Sequence, residues 1–188
     1  MPVVERVVGQ EALDRVTGAL GSLVSEARLN FGQVDVVCSP SNVVEVVSKL
    51  RDTQGIEARF FTFLSAVDRT AFGGEERPDE ERGTPLEVLI HLYSPDHTTH
   101  INVHVPVDAN DPRCPSITDV FGGALWAERE CAEMFGIVFE GHPNLTNLYL
   151  PEDFEGHPLR RTFKLPTRMV KPWPGAKDPD EAAGGGRG

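Results

Sequence analysis

Cysteine is scarce in this chain, and its three copies stand far apart. Cys38, Cys114 and Cys131 form no Cys-x-x-Cys pair. Iron–sulfur clusters and zinc knuckles need closely spaced cysteines, and secreted disulfide scaffolds need a dense, even-numbered set. The spacing therefore predicts three reduced, intracellular thiols, with no cluster, zinc knuckle or disulfide framework in the sequence.

Basic residues are also few in comparison with acidic ones. Lysine and arginine number 18 against 29 aspartates and glutamates, which gives a formal net charge of -11. Binding to nucleic acid or to anionic lipid requires a basic patch. No apolar run approaches the roughly 18 residues of a membrane span, and no charged-then-apolar leader opens the chain. We therefore expect no nucleic-acid partner, and membrane contact only through other proteins.

The usual motifs of nucleotide and nucleophile chemistry are missing. There is no Gly-x-Gly-x-x-Gly, no phosphate-binding loop and no Gly-x-Ser-x-Gly elbow. Three glutamates, Glu128, Glu130 and Glu133, lie close together in sequence. At helical spacing they point to different faces, whereas a catalytic carboxylate pair must converge. These patterns predict no site for NADH, flavin or nucleotide, and no catalytic residue.

The first part of the chain has the patterns of alternating helices and strands. Apolar residues at helical spacing predict a helix over residues 10–28, and Ser39-Pro40-Ser41-Asn42 starts a second helix over residues 43–50. Strands are predicted over residues 33–38 and 59–67, and a hairpin over residues 86–93 and 99–107. Residues 69–84 are predicted to be a charged, partly disordered surface loop.

Residues 115–165 are predicted to contain one long helix followed by tight turns. Ser116 and Asp119 form a capping-box pattern, so the helix is expected to begin near Ile117. Phe135 is the last residue of the apolar stripe, and Gly136 ends the helix by allowing a left-handed backbone. Between the turns that follow, residues 147–150 are predicted to form a short strand.

Two side chains do not fit an ordinary amphipathic helix. Glu128 lies in the inward stripe, where a carboxylate needs a cationic partner. Arg160, Arg161 and Lys164 are the candidates to neutralise Glu128, Glu130 or Glu133, with arginine preferred. Trp126 points outward with Glu130 and Glu133, which is typical of an interface anchor, although the chain's own C-terminal segment is an alternative cover. Arg129 is placed to pair with Glu133 at the i,i+4 spacing.

A five-residue sequence, Phe-Glu-Gly-His-Pro, occurs at residues 139–143 and again at 154–158. Its glycines, Gly141 and Gly156, suit unusual backbone angles, and Pro143 and Pro158 restrict the histidines before them. His142 and His157 have carboxylate neighbours and are therefore candidate proton carriers. The favoured interpretation is that both histidines hydrogen-bond backbone groups of their turns.

The histidines of the hairpin suggest a different function. His100 and His104 share one face of a strand, and His91 lies on the partner strand. Three imidazoles are a known zinc ligand set, so a stand-alone metal-dependent enzyme is one alternative. No carboxylate at a fixed spacing supports it, and sheet histidines are common, so no metal site is predicted.

The motifs of residues 128–160, taken together and in order, resemble one protein family. They are Glu128-Arg129-Glu130, Met134-Phe135-Gly136-Ile137, Phe139-Glu140-Gly141-His142-Pro143 and Glu155-Gly156-His157-Pro158-Leu159-Arg160. This series is similar to that of the 30-kDa subunit family of NADH-quinone oxidoreductase, which is respiratory complex I. Many relatives have tyrosine at the position of Ala127 and aspartate at that of Glu133, so local contacts there are expected to differ.

The resemblance implies a non-catalytic structural subunit in the peripheral arm of the complex, on the cytoplasmic side of the membrane. It implies partner subunits that hold FMN, the iron–sulfur clusters and the quinone pocket, and no cofactor in this chain. An equivalent subunit of a membrane-bound hydrogenase or of a complex fed by another donor is the alternative. The expected signature or partner-interface residues are Trp126, Glu128, Arg129, Glu130, Glu133, Phe135, Gly136, Gly141, His142, Pro143, Gly156, His157, Pro158, Arg160 and Arg161.

The expected fold is α+β, a mostly antiparallel sheet of about four strands with packed helices and a long extended C-terminal arm. Residues 1–114 would form the core domain, in the order helix, strand, helix, strand, hairpin. Residues 115–165 would pack on the same core. Residues 166–188 are rich in proline and glycine and would be extended or disordered, lying on partner subunits as the resemblance implies.

Overall fold

The computed structural model describes residues 6–69 and 86–165. Three α-helices lie in these ranges: α1 (Gln10–Leu20), α2 (Val43–Asp52) and α3 (Ala124–Phe135). Seven strands accompany them: β1 (Val24–Asn30), β2 (Gln33–Cys38), β3 (Phe60–Asp68), β4 (Leu86–Ser94), β5 (Thr99–Pro106), β6 (Arg113–Pro115) and β7 (Val138–Glu140). The predicted loop over residues 69–84, apart from Arg69, and the predicted tail over residues 166–188 lie outside the described residues.

The main sheet has five strands in the order β1-β2-β5-β4-β3. Neighbouring strands are antiparallel except β2 and β5, which run parallel with Val36 opposite Val103. Strands β6 and β7 form a separate parallel pair. The expected α+β fold with a mostly antiparallel sheet is confirmed, and so is the predicted β4–β5 hairpin.

The fifth strand corrects the prediction of a helix over residues 10–28. Helix α1 ends at Leu20, and Gly21 follows with a φ of 52°. A positive φ cannot continue a right-handed helix, so the chain turns there and returns as β1 alongside β2. The helical spacing of apolar residues beyond Leu20 misled the prediction, since Val24 and Ala27 are only partly buried, on an edge strand.

One face of the sheet carries the hydrophobic core. Strand residues that alternate along the chain are fully buried there, among them Val36, Val88, Ile90 and Val103. Helices α1 and α2 pack against each other, and α3 packs mainly against β3. Ile117, Phe121 and Cys131 belong to the same cluster of buried side chains as the strands. Burying one such aliphatic side chain stabilises the fold by about 1.5–3 kcal/mol, so residues 115–135 are anchored to the sheet.

The opposite face of the sheet is polar and carries the three histidines of the hairpin. His91 Nε2 lies 3.2 Å from His100 Nδ1, whereas His104 Nδ1 lies 3.4 Å from Glu87 Oε1. Among the residues that the structure describes, no three histidine, cysteine, aspartate or glutamate side chains are arranged to hold a metal ion. His91 thus pairs with His100, whereas His104 pairs with Glu87.

Within residues 6–69 and 86–165, no helix is both long and apolar enough to cross a membrane.

Candidate functional site

Helix α3 is the element to which the candidate site is attached, and it begins later than its sequence predicts. Its first residue is Ala124, and the stretch from Ile117 to Phe121 forms a single turn, closed by the Phe121 N–H on the Ile117 carbonyl at 2.9 Å. Two glycines, Gly122 and Gly123, separate that turn from the helix, and glycine is a poor helix former. The Ser116 hydroxyl accepts from the Thr118 N–H at 3.2 Å, so the predicted cap makes a local turn.

Glu128 is buried, as predicted, but its partner is not a cation. Its Oε1 accepts the Ile117 N–H at 2.7 Å, and its other oxygen has no hydrogen-bond partner in the described structure. Burial raises the pKa of this carboxyl, and the Ser116 hydroxyl, the Ile117 N–H and nearby His142 oppose the rise only in part. The expected ion pair with an arginine is wrong. Glu128 instead joins α3 to the turn before it, and burial makes ionisation of its carboxyl less favourable than in water.

Glu133 was expected on the outward side of the helix, and the structure buries it at 6% exposure. Its carboxylate accepts backbone N–H groups from three consecutive residues, Leu148, Tyr149 and Leu150. Burial alone would raise the pKa of the Glu133 carboxyl, but the three donors and nearby Arg129 outweigh it and hold the pKa below its ordinary value. The predicted strand over residues 147–150 is absent because these N–H groups bond to the carboxylate.

Arg129 and His142 also connect α3 to the turns that follow it. The Arg129 guanidinium donates to the carbonyls of Thr146 and Asn147, at 2.8 and 2.7 Å, and does not form the predicted pair with Glu133. His142 Nε2 lies 3.0 Å from the Leu125 carbonyl, and its Nδ1 accepts the Asn144 N–H at 3.0 Å. The favoured interpretation of His142, a bond to backbone, is confirmed, and the bond reaches the helix as well as its own turn.

The C-terminal end of α3 is closed by residues 157–160. Three consecutive helix carbonyls have no partner within a helix that stops at Phe135. The Glu133 carbonyl pairs with His157 Nδ1 at 2.9 Å, the Met134 carbonyl accepts the Leu159 N–H at 3.0 Å, and the Phe135 carbonyl accepts Arg160 Nε at 2.6 Å. The function of Arg160 is therefore to cap the helix. It does not neutralise Glu128.

Gly136 and His157 fit together at this end of the helix. Gly136 has the predicted left-handed conformation, with a φ of 73°. A Cβ atom built on it would lie 2.5 Å from His157 Nε2, closer than real contacts allow. Glycine is therefore required both by the backbone angle and by the imidazole that packs on it.

The two Phe-Glu-Gly-His-Pro sequences occupy different environments. Gly141 and Gly156 both have a positive φ, 85° and 89°, as turns of this kind require. Phe139, however, is buried in the core on β7, whereas Phe154 is 39% exposed and packs on Phe163 with ring centroids 6.0 Å apart. The repeat is thus a repeat of turn chemistry, with one copy in the core and one at the surface.

These contacts define a clamped segment, residues 142–160, which lies along α3 with little regular structure. Large apolar side chains on and beside it remain exposed. They are Trp126, Val138, Leu145, Tyr149, Phe154, Leu159 and Leu165. Trp126 is 63% exposed, so the described C-terminal residues up to 165 do not cover it, and its outward direction is confirmed. Glu130 lies on the same helix and is partly exposed.

An open groove of about 340 Å³ lies between the second half of α3 and the clamped segment. Its walls come from both elements and from β7, and include Ala132, Val138, Leu145 and Phe154. Arg161, the last residue of the expected signature, lies outside the groove and donates its backbone N–H to Asp68 at the end of β3. Sequence periodicity had no means to find the groove, because its shape depends on bonds between residues fifteen or more positions apart.

Comparisons with known proteins identify the family of the chain. The family model for the 30-kDa subunit of respiratory-chain NADH dehydrogenase matches residues 36–169, more than half of the chain. A NADH-quinone oxidoreductase subunit from Methylorubrum extorquens is 36% identical over 166 residues, covering 86% of this chain and 71% of that protein. The corresponding protein of a Roseiflexus species is 37% identical over 158 residues, covering 84% and 85% of the two chains.

Two solved structures share the fold. A trypsin-resistant fragment of Nqo5 is 27% identical, with a TM-score of 0.54, and the match covers 71% of this chain and 99% of the fragment. A chain of an archaeal membrane-bound sulfane sulfur reductase is 18% identical with a TM-score of 0.65, covering 87% and 96%, which shows a common fold only. The family model, the curated relatives and the clamped signature residues lead to one conclusion: the chain belongs to the family of the 30-kDa subunit of respiratory-chain NADH dehydrogenase.

Proposed function

We propose that this chain is a non-catalytic structural subunit in the peripheral arm of a proton-pumping NADH:quinone oxidoreductase, on the cytoplasmic face of the membrane. Its contact surface for neighbouring subunits is the outer side of α3 together with the clamped segment. The observation that carries this proposal is the clamped segment itself, which is held in place by polar bonds while its large apolar side chains stay in solvent.

The physical argument starts from what an isolated protein would favour. Exposed large apolar side chains are ordinary when scattered singly, but their concentration on α3, β7 and the clamped segment is typical of a surface that another molecule covers. Trp126 and Tyr149 are each 63% exposed, and both belong to the residue types that dominate binding energy at interfaces. Because the segment is already ordered, a partner that binds it loses little conformational entropy, which favours tight association.

In this proposal the chemistry of the complex takes place in other subunits. We propose that FMN, the iron–sulfur clusters and the quinone pocket belong to partner chains, and that this chain supports the subunits that hold them. Burial raises the pKa of the Cys38 and Cys114 thiols to about 12, and burial also raises the pKa of Cys131. A metal cluster binds the thiolate form, so these three environments are poorly suited to ligating one.

The proposal is tested by removing exposed aromatics without touching the core. Trp126→Ala and Tyr149→Ala are expected to lower the amount of this chain recovered in the membrane-bound NADH-oxidising complex, measured on native gels. The matched control is Val44→Ala, a partly exposed apolar residue on α2. The isolated domain should keep its melting temperature within about 2 °C in all three variants, since exposed substitutions change stability little.

Two results would contradict the proposal. The first is normal recovery of both aromatic variants in the complex. The second is a loss of thermal stability in the isolated domain that matches the loss of assembly, since that would assign Trp126 and Tyr149 to the core of the fold.

A further inference from the structure

The groove beside α3 has a specific chemical character, because its charged lining groups are already engaged. Arg129 donates to the carbonyls of Thr146 and Asn147, and Glu133 accepts three backbone N–H groups. His157 bonds to a helix carbonyl through Nδ1, and its other nitrogen packs on Gly136. A charged group that entered the groove would lose water without gaining a partner, which is unfavourable.

The remaining walls of the groove favour an apolar side chain. Val138 and Leu145 line it and are 41% and 36% exposed, and Phe154 is 39% exposed. Covering these three side chains removes apolar surface from water, which favours association. A volume of about 340 Å³ is ample for one large aliphatic or aromatic side chain.

Three acidic residues, here called the acidic rim, adjoin the groove residue Phe154 in the chain. Glu152 and Asp153 lie in the turn before Phe154, Glu155 directly follows it, and all three are exposed. In the described part of the chain, none of the three forms an ion pair or accepts a hydrogen bond. The whole chain has a net charge of -11, which favours association with a basic partner over an acidic one.

We propose that the groove receives one apolar side chain from a neighbouring subunit, on a segment that carries lysine or arginine beside that residue. The apolar anchor fills the groove, and the flanking cations face Glu152, Asp153 and Glu155. This inference rests on the proposed function and specifies its partner. A second copy of this chain is a poor occupant, because it has the same acidic rim and the same negative net charge.

The first experiment places a charge in the groove of the full-length chain. Val138→Glu is expected to lower recovery of the chain in the membrane complex at least tenfold, whereas Val138→Leu keeps wild-type recovery. Val44→Glu on α2 is the matched control for a new glutamate at a partly exposed valine, and it should assemble normally. If Val138→Glu unfolds the isolated domain, Leu145→Glu repeats the test from the other wall of the groove.

The second experiment tests the acidic rim. Glu155→Lys is expected to weaken the association and to reduce its dependence on salt, because a favourable charge contact becomes a repulsive one. Glu45→Lys on α2, an exposed glutamate that does not line the groove, is the control. Unchanged salt dependence in Glu155→Lys would contradict the basic character of the partner segment.

The third experiment identifies the occupant. A photo-reactive phenylalanine analogue replaces Val138 in the intact complex, and the cross-linked peptide is sequenced. A peptide from another subunit with an apolar residue next to lysine or arginine supports the inference. A peptide without a cation, a second copy of this chain, a lipid adduct or no adduct overturns it.

The results separate the two proposals. Loss of assembly in Trp126→Ala and Tyr149→Ala together with normal assembly of the groove variants would keep the interface and reject the groove as its anchor point. Normal assembly of all four variants, Trp126→Ala, Tyr149→Ala, Val138→Glu and Leu145→Glu, would reject both.

Discussion

Changing Glu133 to glutamine should release the clamped segment while leaving the domain folded. In the native chain one carboxylate accepts three backbone N–H groups, from Leu148, Tyr149 and Leu150. Glutamine keeps one oxygen and replaces the other with an NH₂ group, so at least one backbone donor then faces a donor. A hydrogen bond to a charged group contributes about 1.5–3 kcal/mol, which corresponds to roughly a 10- to 150-fold change in an equilibrium constant.

Amide hydrogen exchange measures this change directly. Exchange at residues 148–150 should accelerate by roughly 10- to 150-fold in Glu133→Gln, while buried amides of α3 and the sheet keep their protection. Glu130→Gln is the matched control, since Glu130 lies on the same helix and makes no hydrogen bond in the described structure. Unchanged exchange at residues 148–150, or an equal loss of protection throughout the domain, would refute the reasoning.

The pH dependence of the same amides gives an independent check. The pKa of Glu133 is lower in the folded chain than in the unfolded chain, since the backbone donors and Arg129 outweigh its burial. Its contribution is therefore fully present above the ordinary glutamate pKa and is lost as the pH falls through the folded value. Protection at residues 148–150 should decrease in acid, and in Glu133→Gln this decrease should disappear.

Three further predictions concern the helix and its two turns. Because burial raises the pKa of Glu128, its ionisation weakens the fold as pH rises above the ordinary glutamate value, and Glu128→Gln should remove that slope in urea unfolding. Gly136→Ala should destabilise the domain by about 2–3 kcal/mol in urea unfolding, from a left-handed alanine and the lost His157 bond. In thermal unfolding monitored by circular dichroism, Phe139→Ala should cost about 3–5 kcal/mol and Phe154→Ala less than about 1, and equal costs would contradict their different burial.

Much of the core could be predicted from local patterns. Strand β2, helix α2, strand β3 and the β4–β5 hairpin were each predicted from local sequence patterns. In α2 and β5 the buried residues recur at the helical and strand spacing, because one face of each packs on the core. The outward direction of Trp126 and the burial of Glu128 were predicted correctly, because the direction of a side chain on a helix follows from its spacing. Gly136 was predicted correctly as the residue that ends the helix.

The sequence-based predictions were wrong where residues distant in the chain determine the local structure. The helix was predicted to begin near Ile117, but a carboxylate eleven residues later, Glu128, binds that backbone, and two glycines interrupt the pattern. Glu133 was predicted to face solvent. Residues fifteen to seventeen positions later in the chain cover its carboxylate and donate backbone N–H groups to it. Arg160 was a candidate partner for Glu128, yet it binds a helix carbonyl. Apart from the two glycines, none of these three outcomes has a local signal in the sequence.

The single parallel contact in the main sheet has a consequence for the kinetics of folding. Strands β1 and β2 form one hairpin, turning at Phe31 and Gly32, and β4 and β5 form another, so each can assemble from neighbours in sequence. The hairpins meet only where β2 lies beside β5, with Val36 opposite Val103, after α2, β3 and the whole of β4 have been synthesised. Closing so long a loop is entropically unfavourable, so docking of the two hairpins should limit the folding rate. A newly synthesised chain should therefore remain prone to aggregation until the two hairpins dock.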